Sequence, residues 1–349
     1  NKSKRETGTG FRFTSLDELL LEPEEDIPFV VQDLLPTGGS SILAGEPKAG
    51  KSTVARTLIL SVAMGKDFCG RGVTKGPVIY LALEDKRAEV QRQLKSMREK
   101  WGDECAPILI HVGPAPNSPV EGLKQLEEAI WQCKPVLVVI DVLHRFSRIT
   151  QINDYSEVSN AMEKLIDLAR RTGCHIMALH HVNKSREGSE ISRVMGSTAF
   201  TGAVDTTLFF TRRNKARSLE ASHLRYGTEL PKTCMRLDRD SGLVLPDGLV
   251  AERNDESLKD QILGALGKQV TMTQDEVRTA LGGDTAETSR VLKRLVATAD
   301  VIRSGKGVKG DPHKYSLPVP PIEDKQESTE SSPVEELGAV ESPVDPSLN

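Results

Sequence analysis

The eight residues Gly45-Glu46-Pro47-Lys48-Ala49-Gly50-Lys51-Ser52 fit the spacing G-x-x-x-x-G-K-[ST]. That spacing suits the cradling of phosphates. Glycines at both ends let the backbone wrap until its N–H groups point inward, and a helix starting there adds the partial positive charge of its amino terminus. The apolar stretch Ser41 to Ala44 before the motif and the helical run Thr53 to Met64 after it supply the strand and helix that this geometry requires. Lys51 is expected to reach the outer phosphates and the Ser52 hydroxyl to hold Mg²⁺. Gly45, Glu46, Pro47, Lys48, Ala49, Gly50, Lys51, Ser52 and Thr53 together form the expected binding set for ATP with Mg²⁺.

Three further apolar runs end in groups that can act on a bound phosphate. Val136 to Ile140 ends in Asp141, the expected Mg²⁺ ligand through water. Val78 to Leu83 ends in Glu84-Asp85, and Glu84 is expected to orient an attacking water. The alternative for this pair is a solvated acidic start to the helix from Lys86. His175 to Leu179 ends in His180-His181, readable as packed core histidine or as half a metal site. Two basic loops follow: His144-Arg145-Phe146-Ser147-Arg148, and Lys184-Ser185-Arg186 through Arg193.

These runs imply elements that position them. Short β-branched strands at 41–44, 78–81, 109–112, 136–140, 175–179 and 207–210 alternate with longer amphipathic stretches, which predicts an α/β fold with a mostly parallel sheet flanked by helices. Strands this uniformly apolar suit burial on both faces. After Asp255 the pattern changes to helical stretches at 258–266, 273–281 and 285–298, then two short strands around a Gly-rich basic turn, which resembles a winged helix. The division expected is an extension over 1–27, the phosphate-binding domain over 28–250, the small domain over 257–318 and an acidic tail over 319–349. That tail holds five prolines, no aromatic residue and a net charge of −7, a composition that predicts disorder.

The succession of phosphate loop, Tyr80-Leu81-Ala82-Leu83-Glu84-Asp85, Asp141 and Leu179-His180-His181-Val182-Asn183-Lys184 resembles the RecA-like ATPases. It is most similar to the RepA-type hexameric replicative helicases of plasmids, phages and other mobile elements, over residues 28 to 250. The resemblance implies a ring, expected to be a hexamer, whose ATPase activity drives DNA unwinding. It places the water-activating glutamate at Glu84, the Walker B aspartate at Asp141 and a γ-phosphate sensor at His180. It also implies an arginine finger acting on the neighbouring subunit's site, assigned here to Arg225 within His223-Leu224-Arg225, with Arg193 as the second choice. The two basic loops then face a central channel, where Arg145, Arg148, Lys184 and Arg186 would meet the phosphates of single-stranded DNA or, taken singly, only solvent. In the small domain, Arg290, Lys293 and Arg294 are placed to meet duplex DNA, although winged helices also bind proteins. The competing function is a nucleotide-switched DNA-binding regulator or loader, or a recombination accessory ATPase, without strand separation.

Composition excludes several classes. Of 349 residues, 38% are hydrophobic and 28% charged, enough for a sizeable core. No window approaches a membrane-spanning run, and the polar start carries no apolar signal core, so a cytoplasmic protein without membrane contact is expected. The five cysteines never form a C-x-x-C pair and suggest neither a disulfide framework nor a zinc ribbon. The net charge of −4 hides an asymmetry, because with the tail at −7 the first 318 residues carry +3.

Overall fold

The computed structural model describes residue 11 and residues 13–102, 104–149, 155–182, 203–213, 216–282 and 284–318. Lys184, Arg186, Arg193 and the acidic segment from 319 onward lie outside the described residues. Contacts divide the chain into a unit ending at Asn254 and a second beginning at Asp255.

In the first unit, helix α1 (Leu16–Leu21) precedes a ribbon of β1 (Phe29–Val31) and β2 (Leu35–Pro36). Strand β3 (Ser40–Gly45) then runs into the phosphate loop and helix α2 (Lys51–Met64). There follow β4 (Val78–Ala82), α3 (Arg87–Trp101), β5 (Ile108–Val112), α4 (Pro119–Cys133) and β6 (Leu137–Asp141). A single helical turn, α5 (Leu143–Phe146), leads to α6 (Tyr155–Thr172) and β7 (His175–His181). Strands β8 (Thr206–Arg213), β9 (Ala216–Leu224), β10 (Leu230–Leu237) and β11 (Val244–Leu249) complete a nine-stranded sheet ordered β11-β10-β9-β8-β3-β7-β6-β4-β5.

From β8 through β5 neighbouring strands are parallel, whereas β8 to β11 pair antiparallel. The six strands expected from apolar runs form the parallel part. The antiparallel extension was not expected as a block, because in β9 Leu219 and Ala221 alternate with Ser218 and Glu220 and leave no continuous apolar run. One face of the sheet packs on Val54, Leu58, Ile59 and Val62 of α2 and Val90 of α3, and the other on Leu126 and Ile130 of α4 and Met162 and Leu165 of α6. The parallel strands therefore present their carboxyl ends on one edge, where ligands of open α/β sheets collect. The phosphate loop, Glu84, Asp141 and His181 all leave that edge.

The second unit takes up helix α7 (Val250–Leu266) from Asp255, then β12 (Met272–Thr273), α8 (Gln274–Leu281), α9 (Thr285–Ala297), β13 (Ile302–Ser304) and β14 (Lys314–Ser316). Its three strands pair antiparallel in the order β12-β14-β13. Helix α8 opens with a reciprocal Thr273/Glu276 cap, and Asp284 accepts the Ala286 and Glu287 N–H groups at the start of α9. Ile262, Val277, Val291, Leu292, Leu295 and Tyr315 close a core of their own. Among the described residues no helix is long and apolar enough to cross a membrane.

His175 ties β7 to the entry of β3. Its ring is fully buried, with Nδ1 2.7 Å from Pro36 O and Nε2 2.8 Å from Ser41 Oγ. A carbonyl can only accept, so Nδ1–H donates to Pro36 and Nε2 accepts from the serine. Burial holds this imidazole down to about 4, against the opposing pull of Pro36 O and Asp205. Near neutrality the folded and unfolded chains both carry it uncharged. As pH falls through about 6.5 the unfolded chain takes up the proton first, so stability drops until the folded ring protonates too, a loss on the order of 3 kcal/mol. Urea unfolding followed downward from neutral pH is expected to show a shallower acid decline for His175→Gln than for the native chain. Equal declines would contradict this assignment.

Candidate functional site

The phosphate loop is shaped by what surrounds it. A Cβ on Gly45 would meet Phe210 O of β8 at 2.3 Å, so only glycine lets β3 approach so closely where the loop begins. Gly50 has φ +112° and Lys48 φ +61°, both in the left-handed region. Gly50 caps α2 without a side chain, which leaves the helix amino terminus facing the loop, and Thr53 and Val54 N–H both return to Gly50 O at 3.1 Å. Backbone donors, a helix dipole and an ammonium converge here, a donor set that fits a polyphosphate.

Lys51 is 4% exposed. Its Nζ lies 2.7 Å from Gly45 O, 2.9 Å from Glu46 O and 2.9 Å from His181 Nδ1. Burial pulls the ammonium down to about 8, opposed by the carboxylates of Asp141, Glu84 and Glu46. An ammonium has only protons to give, so His181 Nδ1 accepts and its Nε2 carries the hydrogen. That Nε2 stands 3.5 Å from Glu84 Oε2. Glu84 Oε1 is 3.1 Å from Arg145 Nε and 3.3 Å from His144 Nε2. Partial burial works to raise the Glu84 carboxyl, but Arg145, His144 and His181 outweigh it and hold the group below its ordinary value. Burial lowers both histidines despite the attraction of Glu84. Lys51, His181 and Glu84 thus form one chain of contacts, with His144 and Arg145 closing its outer end.

Asp141 is 3% exposed at the end of β6 and accepts hydrogen bonds from the Ser52 hydroxyl and, at 2.8 Å, from Tyr80 OH. Burial raises its carboxyl against those two bonds. The pairing of Ser52 with Asp141 at the foot of the loop suits a divalent cation held by the hydroxyl on one side and by a carboxylate through water on the other. Tyr80 is in turn covered by the buried guanidinium of Arg56, 5.8 Å from the ring centre, and Arg56 is paired with Asp85.

Lys51, Ser52, Glu84 and Asp141, nominated from the sequence, thus converge at one edge. Along β7, Met177 and Leu179 pack on the α2 side and Ile176 and Ala178 on the α4 and α6 side, so alternation sends His181 to the phosphate loop and His180 to the opposite face. Burial, with His181, His144 and Lys51, holds His180 down to about 4, which leaves it neutral. Arg145 reaches Glu84, while Arg148 turns onto Ala115 O, Pro116 O and Asn117 Oδ1. Arg225 follows Leu224, which pairs with Thr206 and through it lies level with Ser41, at the end of β3 away from the loop. There its N–H bonds Asp205 O at 2.8 Å and its guanidinium lies 3.5 Å from Asp205 Oδ1, so the fold does not bring it to the phosphate loop of its own chain. In the second unit Arg290 and Arg294 pair with Asp255, while Lys293 is exposed without an ion pair among the described residues. His181, His144, Tyr80 and Arg56 were not singled out from the sequence.

Residues 9–187, just over half of the chain, match the AAA domain family. The chain belongs to this AAA domain family. Its sheet order, with the phosphate loop after the central strand β3, fits a RecA-like P-loop ATPase domain. Among solved structures, a KaiC-like protein from the hyperthermophilic archaeon Pyrococcus horikoshii OT3 is similar at 14% identity and a TM-score of 0.46, over 64% of this chain and all of that one. In this AAA domain, His181→Ala is expected to slow ATP turnover roughly 10- to 100-fold, the worth of one hydrogen bond to a charged group. His180→Gln should change it less. Loss confined to His180→Gln would support the sensor role that the resemblance implies for His180.

Proposed function

We propose that this P-loop ATPase is DNA-dependent and works as a ring, a hexamer, that unwinds DNA in the replication of a plasmid, phage or other mobile element. The observation that carries this reading is the Glu84 carboxylate, gripped by Arg145 from the helical turn α5 after β6 and by His181, which also contacts Lys51. Arg145 is 61% exposed, so a phosphodiester can compete for its guanidinium. In the proposed cycle, single-stranded DNA draws Arg145 off Glu84, and the freed carboxylate accepts a proton from the water that attacks the terminal phosphate. Mg²⁺, held by Ser52 and Asp141, would neutralise charge on the phosphate oxygens. Lys51 exchanges its carbonyl partners for phosphate oxygens, and His181 changes partner with it, reporting phosphate loss to the β7 edge.

Arg225, at the far edge of its own sheet, serves the site of a neighbouring subunit as the arginine finger, with Arg193 as the second choice. Arg148, Lys184 and Arg186 extend the channel contacts. The second unit is read as a winged helix that meets duplex DNA through Arg290, Lys293, Arg294 and the exposed basic turn of Arg303, Lys306 and Lys309. That exposed basic turn also favours a second reading, a nucleotide-switched duplex-binding regulator or loader.

Steady-state ATP hydrolysis with and without single-stranded DNA at two salt concentrations tests the choice. The ring motor predicts strong, salt-sensitive stimulation, and Arg145→Ala is expected to raise basal turnover and blunt the stimulation. Turnover indifferent to single strands in both proteins would reject it in favour of the nucleotide-switched binder.

A further inference from the structure

The antiparallel extension of the sheet carries an open cavity of about 470 Å³ that none of the roles above uses. Arg212, Arg217, Arg236, Arg239 and Arg253 line it together with one carboxylate, Asp247. Asp247 is already engaged, with Oδ2 2.7 Å from Arg253 Nη2. The side chains of Arg212, Arg217, Arg236 and Arg239 have no ion pair among the described residues. Four guanidinium groups thus share a concave surface with no unengaged anion among the described residues that line it.

Ordinary solvated surface explains this poorly. Arg212 and Arg217 are direct cross-strand partners in the β8–β9 register, a placement that costs the sheet stability because like charges face each other. Arg217 is half-buried, and across β9–β10 it faces Met235, whose burial gives the cavity an apolar wall. Burial, and then Arg212, pull its guanidinium below its ordinary value. Next to apolar surface an unmatched charge is expensive and a matched one strong. Planar guanidinium forks match phosphate oxygens two at a time. Convergence in one cavity favours several charges in a small volume over a nucleic-acid strand, whose phosphates are spread along its length.

We propose that this cavity is a second phosphate site, separate from the Lys51 loop, that takes a compact polyphosphate such as a nucleoside polyphosphate or pyrophosphate. It does not depend on the DNA reading. Arg212 stands two residues past Phe210, whose carbonyl lies against Gly45, so the test must separate the two sites.

Calorimetric titration of the full chain with inorganic tripolyphosphate at low salt provides that separation. Two binding events are expected, with Lys51→Ala removing one and Arg217→Gln combined with Arg236→Gln weakening the other at least tenfold. Arg239→Gln, at an exposed position, should weaken the second event alone and serves if the double variant fails to fold. A single event abolished by Lys51→Ala and untouched by the arginine changes would overturn the site. So would arginine variants that weaken both events equally, because they would mark one composite site. Displacement of the second event by a thymidine oligonucleotide, but not by a nucleoside triphosphate, would overturn the compact ligand in favour of a strand.

Discussion

The Lys51 ammonium is almost wholly removed from water, and a charge so placed must be matched proton by proton. Gly45 O, Glu46 O and His181 Nδ1 do this. Two of those partners belong to the loop itself, so the lysine and the loop hold each other in shape. The third fixes the His181 tautomer and turns its remaining N–H toward Glu84. Parallel pairing of β3 with β7 sets the whole arrangement, because it places His181 level with Gly45. A slip of one residue would put His180 there and send His181 to the opposite face.

Much of this was legible in the sequence, for identifiable reasons. The phosphate loop needs glycines at fixed positions whatever surrounds it, so its spacing survives as a motif. Asp141 and Glu84 stand at the ends of apolar runs, and the carboxyl ends of parallel strands share an edge. The choice between His180 and His181 was not legible. Strand β7 is apolar on both faces, which erases the alternation that would tell one face from the other. Arg145 was readable as a basic loop residue, but its contact with Glu84 joins elements 61 positions apart and depends on where α5 begins. The antiparallel extension was missed because charges such as Arg212 and Arg217 interrupt its strands, and those same charges line its cavity.

Charge is therefore distributed with a pattern that the net value conceals. Around Glu84 the cations are paired and poised, in the arginine cavity they are gathered about one engaged carboxylate, and in the second unit Arg290 and Arg294 are tied to Asp255 while the turn of β13 and β14 stays open. Each setting suits a phosphate in a different way, as a competitor for an existing partner, as the missing partner, or as a contact at the surface. Behind Asp141 charge is used differently, because the buried Arg56 cation, paired with Asp85 and bonded to Gln93, covers the ring of Tyr80, whose hydroxyl donates to the Asp141 carboxylate.

The proposed division of labour has Glu84 activating water while Lys51, Ser52 and Asp141 bind the nucleotide. Measuring nucleotide affinity and single-turnover hydrolysis on the same Glu84→Gln protein tests it most directly. Nearly unchanged affinity is expected, with hydrolysis slower by about 10²- to 10⁴-fold, the usual contribution of a general base. Hydrolysis at the native rate would contradict it and require another group to position the water.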